Sequence, residues 1–303
     1  MAKRKVTVSE TAFEGWKHCL RITDGRVDLV VTTEVGPRIL RYGFVDGPNH
    51  LAVFPETAGR TGGDEWNSYG GHRLWHAPEE RPRTYDEDNF PVEWKKIPNG
   101  VWTRAKMDDW TQIDKEVEVV LDPETSEVTV RHRLTNRNAW EVTLSVWAVT
   151  VMAPGGREIV PQVQAGPELL PNRTLALWTY SRMNDPRVAW GAKYVFLDQD
   201  PQAAGPFKIG LPVDAGWAAY ANRGQLFVKR FEYDDEAEYP DFGLCSYETY
   251  TNDRMLEMES LSPMWDLEPG DAAEHVEIWS LFDGVERPAS EDDVDRVILP
   301  LLE

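Results

Sequence analysis

The sequence predicts an all-β chain, built as two large antiparallel sheets stacked face to face, with one short helix near its C-terminal end. Three observations carry that prediction. Apolar and polar residues alternate at period two through most of the chain, as in strands with one buried face. Turn-forming groups separate the runs: Asp24-Gly25, Asp46-Gly47, Asp122-Pro123, Pro154-Gly155-Gly156, Asn222-Arg223-Gly224 and Pro269-Gly270. Helical periodicity is scarce.

Taken in order, Val27, Leu29 and Val31 share one face of the first clear strand. Val117, Val119 and Leu121 do the same, as do Val128, Val130, His132 and Leu134. The stretch Val142–Met152 is apolar on both faces, which predicts a central strand. Further strands are expected at Tyr194–Leu197, Trp217–Tyr220, Gln225–Phe231, Arg254–Ser260 and His275–Phe282. In the tail, Ser290 can cap a short helix whose first turn holds Glu291, Asp292 and Asp293, where the helix dipole favours acids. Val294, Val297, Ile298 and Leu301 would face inward, and Pro300 is expected to end the helix.

The chain has 303 residues, with no internal repeat and no Gly/Ser-rich linker. The expectation is one β domain over residues 12–283, followed by a tail over 284–303 that carries the helix. Hydrophobic residues at 41% and charged residues at 28% are an ordinary globular balance. Thirty-two basic against fifty-two acidic side chains leave a net charge of −20. Such a surface repels phosphate backbones and anionic lipid, so neither nucleic acid nor membrane is an expected partner. Cys19 and Cys245 are too few for a disulfide framework or zinc knuckle and fit a reducing compartment. With no apolar signal segment and no membrane-length apolar run, a cytoplasmic location is expected. Oligomeric state is left open.

The densest polar and aromatic segment is Gly70-Gly71-His72-Arg73-Leu74-Trp75-His76-Ala77-Pro78-Glu79. In an extended chain His72, Leu74 and His76 share one face, and Arg73 and Trp75 the other. A pair of imidazoles can move a proton near neutral pH, which makes His72 and His76 candidate catalytic groups. The same spacing on a helix would suit zinc, but Arg73 would repel a cation, so no metal or other cofactor is expected. Glu257 and Glu259, set among Met and Leu, would face the same way about 6.7 Å apart on a strand. Desolvation and like charge should raise at least one of them into the range of a general base. Arg38 behind Gly36-Pro37, Arg73, Trp75, Glu248 and Lys208 are the candidate substrate-binding residues. Arg offers a planar fork for hydroxyls or carboxylates, and Trp a flat face for a sugar ring. Trp66, Trp94, Trp102 and Trp110 bracket the histidines, and one or two of them could form such a platform. His132 and His275 read as core residues.

In these stretches the chain resembles the galactose-mutarotase-like superfamily, also called aldose 1-epimerase-like, in a bacterial branch. Gly25–Arg41 with Val35-Gly36-Pro37-Arg38-Ile39 resembles the first strand pair of that fold. Gly70-Gly71-His72 through Glu79 resembles the segment bearing a sugar-binding histidine. Leu256-Glu257-Met258-Glu259, with Pro263 and Pro269-Gly270, resembles the strand of the catalytic glutamate. The resemblance implies a β-supersandwich with a sugar in a cleft of one sheet. It also implies Glu257 or Glu259 as base at the anomeric hydroxyl, with His72 binding the sugar and His76 assisting. One departure stands out: where the epimerases place their acid histidine, this chain reads Trp147-Ala148-Val149-Thr150-Val151-Met152. Three functions are therefore weighed: an anomeric epimerase, a non-catalytic carbohydrate-binding or sensing protein, and an oligosaccharide hydrolase or lyase.

Overall fold

The computed structural model describes residues 4–302 other than 165, 167 and 168, so the basic start Met1–Lys3 and Glu303 lie outside the described residues. Two antiparallel sheets make up the chain. The first has 11 strands and carries, side by side near its middle, Arg38–Phe44, His72–Ala77, Val142–Met152, Leu256–Leu261, Tyr247–Thr251 and Phe207–Leu211. The second has 10 strands, with Gln225–Phe231, Ala272–Asp283, Val128–Asn136 and Ile113–Leu121 at its centre. Their inner faces meet in one large apolar core that includes Leu29, Leu74, Val146, Met258, Phe227 and Trp279. No helix among the described residues is long and apolar enough to cross a membrane.

Most of the expected strands form where alternation put them. Val142–Met152 is central: it pairs with His72–Ala77 on one side and with Leu256–Leu261 on the other. That position explains its apolar character on both faces. The strand expected from Arg254 starts at Leu256 instead, because Asn252 accepts from the Arg254 and Met255 amides and holds them in a turn.

Gly70 and Gly71 decide how His72–Ala77 enters the sheet. Both have left-handed backbone, with φ of +80° and +71°. A Cβ on either would lie 2.2 Å from the Ala52 carbonyl oxygen or 2.3 Å from that of Ile39. Only glycine lets the chain pass so close to two neighbouring backbones.

The tail helix begins as expected. Ser290 accepts from the Asp293 amide, and the Asp293 side chain returns a bond to the cap, which completes a capping box. Pro300 does not end it. A wider turn over Val294–Ile298, in which the Leu299 amide reaches back to the Val294 carbonyl, precedes a last helical turn, Leu299–Leu302. That widening relieves the clash an α-turn would force between the proline ring and the Arg296 carbonyl. Val294 and Ile298 pack against Ile159, Tyr194 and Trp217 of the second sheet, while Val297 is left partly in water.

Candidate functional site

A cleft of about 390 Å³ opens on the outer face of the first sheet, the face turned away from the second. Its floor comes from odd-numbered positions on two central strands. Arg73 and Trp75 project from His72–Ala77, and Glu257 and Glu259 from Leu256–Leu261. Trp147 lies between them on the central strand, and Lys208 and Tyr250 extend the floor to one side. Trp66, Tyr85 and Tyr180 wall it.

Two charged groups organise that floor. In the first, the Arg73 guanidinium donates to Glu257 Oε1 at 3.0 Å and lies over the rings of Trp75 and Trp66, 4.2 and 5.8 Å from their centroids. In the second, Lys208 Nζ lies 2.7 Å from Glu248 Oε2 and 3.0 Å from Glu259 Oε2. Glu259 Oε2 also accepts from Trp147 Nε1 at 3.0 Å, and the ammonium sits 4.7 Å from the centroids of both Trp147 and Trp178. Strand register explains the arrangement. Glu248 pairs directly with Glu259 across adjacent strands, a placement that like charges resist. Lys208, one row along, bridges them. Gly210, the partner of Glu248 on the other side, leaves room, since a Cβ there would sit 2.6 Å from Cys245 Sγ and 3.3 Å from Glu248 Cγ.

Burial raises the Glu259 carboxyl above its ordinary range; Lys208 opposes this and Glu257 adds to it. Burial, again opposed by Lys208, pushes Glu248 well above its usual value. Burial would lower Lys208, but Glu248 and Glu259 hold it well above a normal ammonium. Glu259 Oε1 and Arg73 Nε are buried and have no hydrogen-bond partner. Unsatisfied atoms of this kind on a cleft floor are where a ligand's hydroxyls can bind.

The sequence-derived candidates divide between this cleft and elsewhere. Arg73, Trp75, Lys208, Glu257 and Glu259 meet in it. Glu248 lies beneath the floor and reaches the cleft only through Lys208. Arg38 shares the strand face of Arg73 but is covered: it donates to the Gly70 carbonyl at 2.6 Å, pairs with Asp88 and packs over Tyr69. It is a structural pin, a correction to its expected role in substrate binding.

The two histidines require the larger correction. His72 and His76 do share a face, but it is the inner one. His72 enters the core, where its Nδ1 bonds Thr150 Oγ1 at 2.8 Å and its Nε2 meets His132 Nε2 at 2.7 Å. His132 Nδ1 bonds the His275 carbonyl at 2.9 Å, so His132 donates there. Its Nε2 must then accept from His72, whose Nδ1 accepts from Thr150. Burial lowers the His72 pKa well below its usual value, consistent with this neutral relay. His76 lines a separate pocket with Arg83, Trp110 and Trp140. The imidazoles and the late glutamates therefore occupy opposite faces of one sheet.

Among the described residues, His72, His132 and Glu277 are close enough to one another to hold a metal ion. Glu277, however, already has the Lys229 ammonium at 2.8 Å, accepts from Ser260, and accepts from Trp279 Nε1 at 2.7 Å. The lysine supplies the positive charge a metal would bring, and the set reads as a satisfied core network.

Trp147, Trp178, Tyr180, Tyr85 and Tyr250 were not singled out by sequence reasoning. Trp147 could have been found: it faces the same side as Glu259 once the two strands are paired. The tyrosines and Trp178 come from other strands and loops, and nothing local in sequence marks them.

No family model and no curated protein matches the sequence. Solved structures do match the fold. A galactose mutarotase-like protein from Lactobacillus casei ATCC 334 superposes with a TM-score of 0.56 at 9% identity, covering 87% of this chain and 100% of its own. Another from Clostridium acetobutylicum gives 0.54 at 9% identity, covering 93% and 99%. A TPR-domain containing protein from Parabacteroides distasonis ATCC 8503 gives 0.60 at 12% identity, covering 95% of this chain and 56% of its own. The chain has the galactose-mutarotase-like fold that its sequence resemblance implied.

Proposed function

We propose that the outer-face cleft binds one sugar or sugar-derivative ring. The observation that carries this reading is the pairing of an aromatic wall with a charged floor left partly unsatisfied. Trp66, Tyr85 and Tyr180 offer flat faces for the C–H face of a pyranose, while Arg73, Lys208 and Glu259 offer donors and acceptors for its hydroxyls. Titrating the protein with a panel of aldoses, followed by tryptophan fluorescence and calorimetry, tests the reading. Saturable binding weakened in Arg73→Ala is expected; no binding across the panel removes it.

A second reading, anomeric epimerisation of the bound sugar, is favoured by Glu259. Its carboxyl is raised by burial and keeps Oε1 free. In such a step Glu259 would take the proton of the anomeric hydroxyl. The bond from C1 to the ring oxygen would break, and that oxygen would gain a proton. Rotation about C1–C2 and the reverse transfers would then give the other anomer. His72 and His76 do not face the cleft, so the second proton has to come from Lys208 or a cleft tyrosine. Polarimetry on freshly dissolved anomers separates the two readings: acceleration abolished by Glu259→Gln supports turnover, and binding without acceleration leaves a carbohydrate-binding protein.

A further inference from the structure

The strand His72–Ala77 has a second face, and it opens on a different pocket. This pocket, of about 260 Å³, is lined by His76, Arg83, Trp110, Thr111, Asn138 and Trp140, with Ile113 and Leu144 behind. Three observations set it apart. His76 is 2% exposed, yet neither ring nitrogen has a hydrogen-bond partner. Arg83 Nε is likewise buried and unpartnered. Trp110 and Trp140 keep 64% and 63% of their surface in water.

Each observation carries a cost within the protein itself. Buried polar atoms almost always find a partner, and leaving them without one is unfavourable. Large indoles held in water are unfavourable too. A single occupant that presents a flat apolar face to the indoles and hydroxyls to the buried atoms would offset both costs. The volume lies just under the roughly 300–1,000 Å³ of ordinary ligand pockets, which limits the occupant to one small ring.

We propose that this pocket is a second ligand site that takes one uncharged, polyhydroxylated ring, a single saccharide unit, with His76 at its base and Trp110 and Trp140 at its rim. The charge preference follows from the lining: its one cation, Arg83, already donates to the Pro78 carbonyl at 2.7 Å, no carboxylate lines the pocket, and the group at its base is the imidazole. Burial, reinforced by Lys115 and Arg83 and offset only weakly by the Arg83 main chain, holds it down at about 3. Neutral at pH 7, it offers one donor and one acceptor, as a hydroxyl does. The site is independent of the cleft: the two lie on opposite faces of the same strand and share no lining residue.

The test is ¹⁹F NMR on full-length protein labelled with 5-fluorotryptophan. Methyl β-glucopyranoside, methyl α-mannopyranoside, methyl β-galactopyranoside and N-acetylglucosamine are titrated into the tens of millimolar. Trp110→Phe and Trp140→Phe assign the two resonances. At least one glycoside should shift both, saturably. The response should persist in Glu259→Gln and weaken by about tenfold or more in His76→Leu, whose other resonances report an intact fold. Loss of cleft binding, read at Trp66, Trp75 and Trp147, leaves this outcome untouched, so the two proposals fail separately. Three results overturn the second site: no saturable shift at Trp110 and Trp140, a shift that benzyl alcohol reproduces and His76→Leu spares, or ligand-free shifts that grow with protein concentration, which would mark the two indoles as a self-association surface.

Discussion

Two charged clusters lie back to back across the first sheet, and the same two strands, His72–Ala77 and Leu256–Leu261, contribute to both. On the inner side, His72 and Ser260 join His132, His275, Glu277 and Lys229. On the outer side, Arg73, Glu257 and Glu259 join Lys208 and Trp147. The inner cluster is closed: both Glu277 oxygens, both nitrogens of His72 and of His132, and the Lys229 ammonium have partners. The outer cluster is open: Glu259 Oε1 and Arg73 Nε have none. Similar residue types thus do different work. A polar network whose atoms are satisfied within the core fixes how the sheets pack, whereas one with free atoms at the floor of a cleft has capacity left for a ligand.

Breaking the inner cluster should cost the most. Glu277→Leu leaves the Lys229 ammonium buried without its carboxylate and is expected to cost about 3–5 kcal/mol in urea unfolding. Adding Lys229→Met should recover much of that loss, since the unpaired charge is then gone. A single variant as stable as the parent would show that the network does not hold the core.

Acid probes the inner face without mutation. His76 and His275 are each held at about 3 by burial, against 6.5 for a free imidazole, and burial lowers His72 and His132 as well. The unfolded chain therefore binds protons below about pH 6.5 that the folded chain refuses. Stability should fall between pH 6.5 and 3, by up to about 1.4 kcal/mol per pH unit for each such histidine. Glu158 works the other way: burial raises it to about 8, so its contribution is present below its unfolded value and lost as pH rises toward 8. His76→Leu should flatten the acid limb by one histidine's share. Urea midpoints at pH 7, 5.5 and 4 measure this, and a flat profile over that range contradicts the buried, neutral assignment.

On the outer face the expected order of effects reverses. Glu259→Gln keeps the shape and removes a charge that burial already disfavours, so stability should move by no more than ~1 kcal/mol. Sugar affinity should fall about tenfold or more, since a free acceptor on the floor is lost. A variant that unfolds while the ligand response is unchanged would reverse the contrast between the clusters. The smallest effect belongs to the solvent-facing pair Arg104–Glu93, at 2.7 Å. Arg104→Ala should change unfolding by less than ~0.5 kcal/mol, within the scatter of replicate curves.

The positions that sequence reasoning placed correctly share a local cause. Alternation at Val117–Leu121 and Val128–Leu134 and the continuous apolar run Val142–Met152 marked them as strands, and the same period-two reading grouped His72 with His76, Arg73 with Trp75, and Glu257 with Glu259. The Ser290 cap was legible because capping is a contact over three residues. Arg38 was misread because its cover, Tyr69 and Asp88, comes from segments distant in sequence. Trp178, Tyr180 and Tyr85 were missed for the same reason.

The amino-acid sequence alone determined the fold class, most of the strands, the capped tail helix and which residues stand side by side on each strand. Those properties come from short-range backbone preference and period-two patterning, which act within a few residues. Only the tertiary structure decided which side of the sheet is outside. A strand has two faces, and the second sheet can cover just one of them. Its packing here sent the imidazoles inward and left the glutamates, arginine and indoles to floor the cleft on the other face.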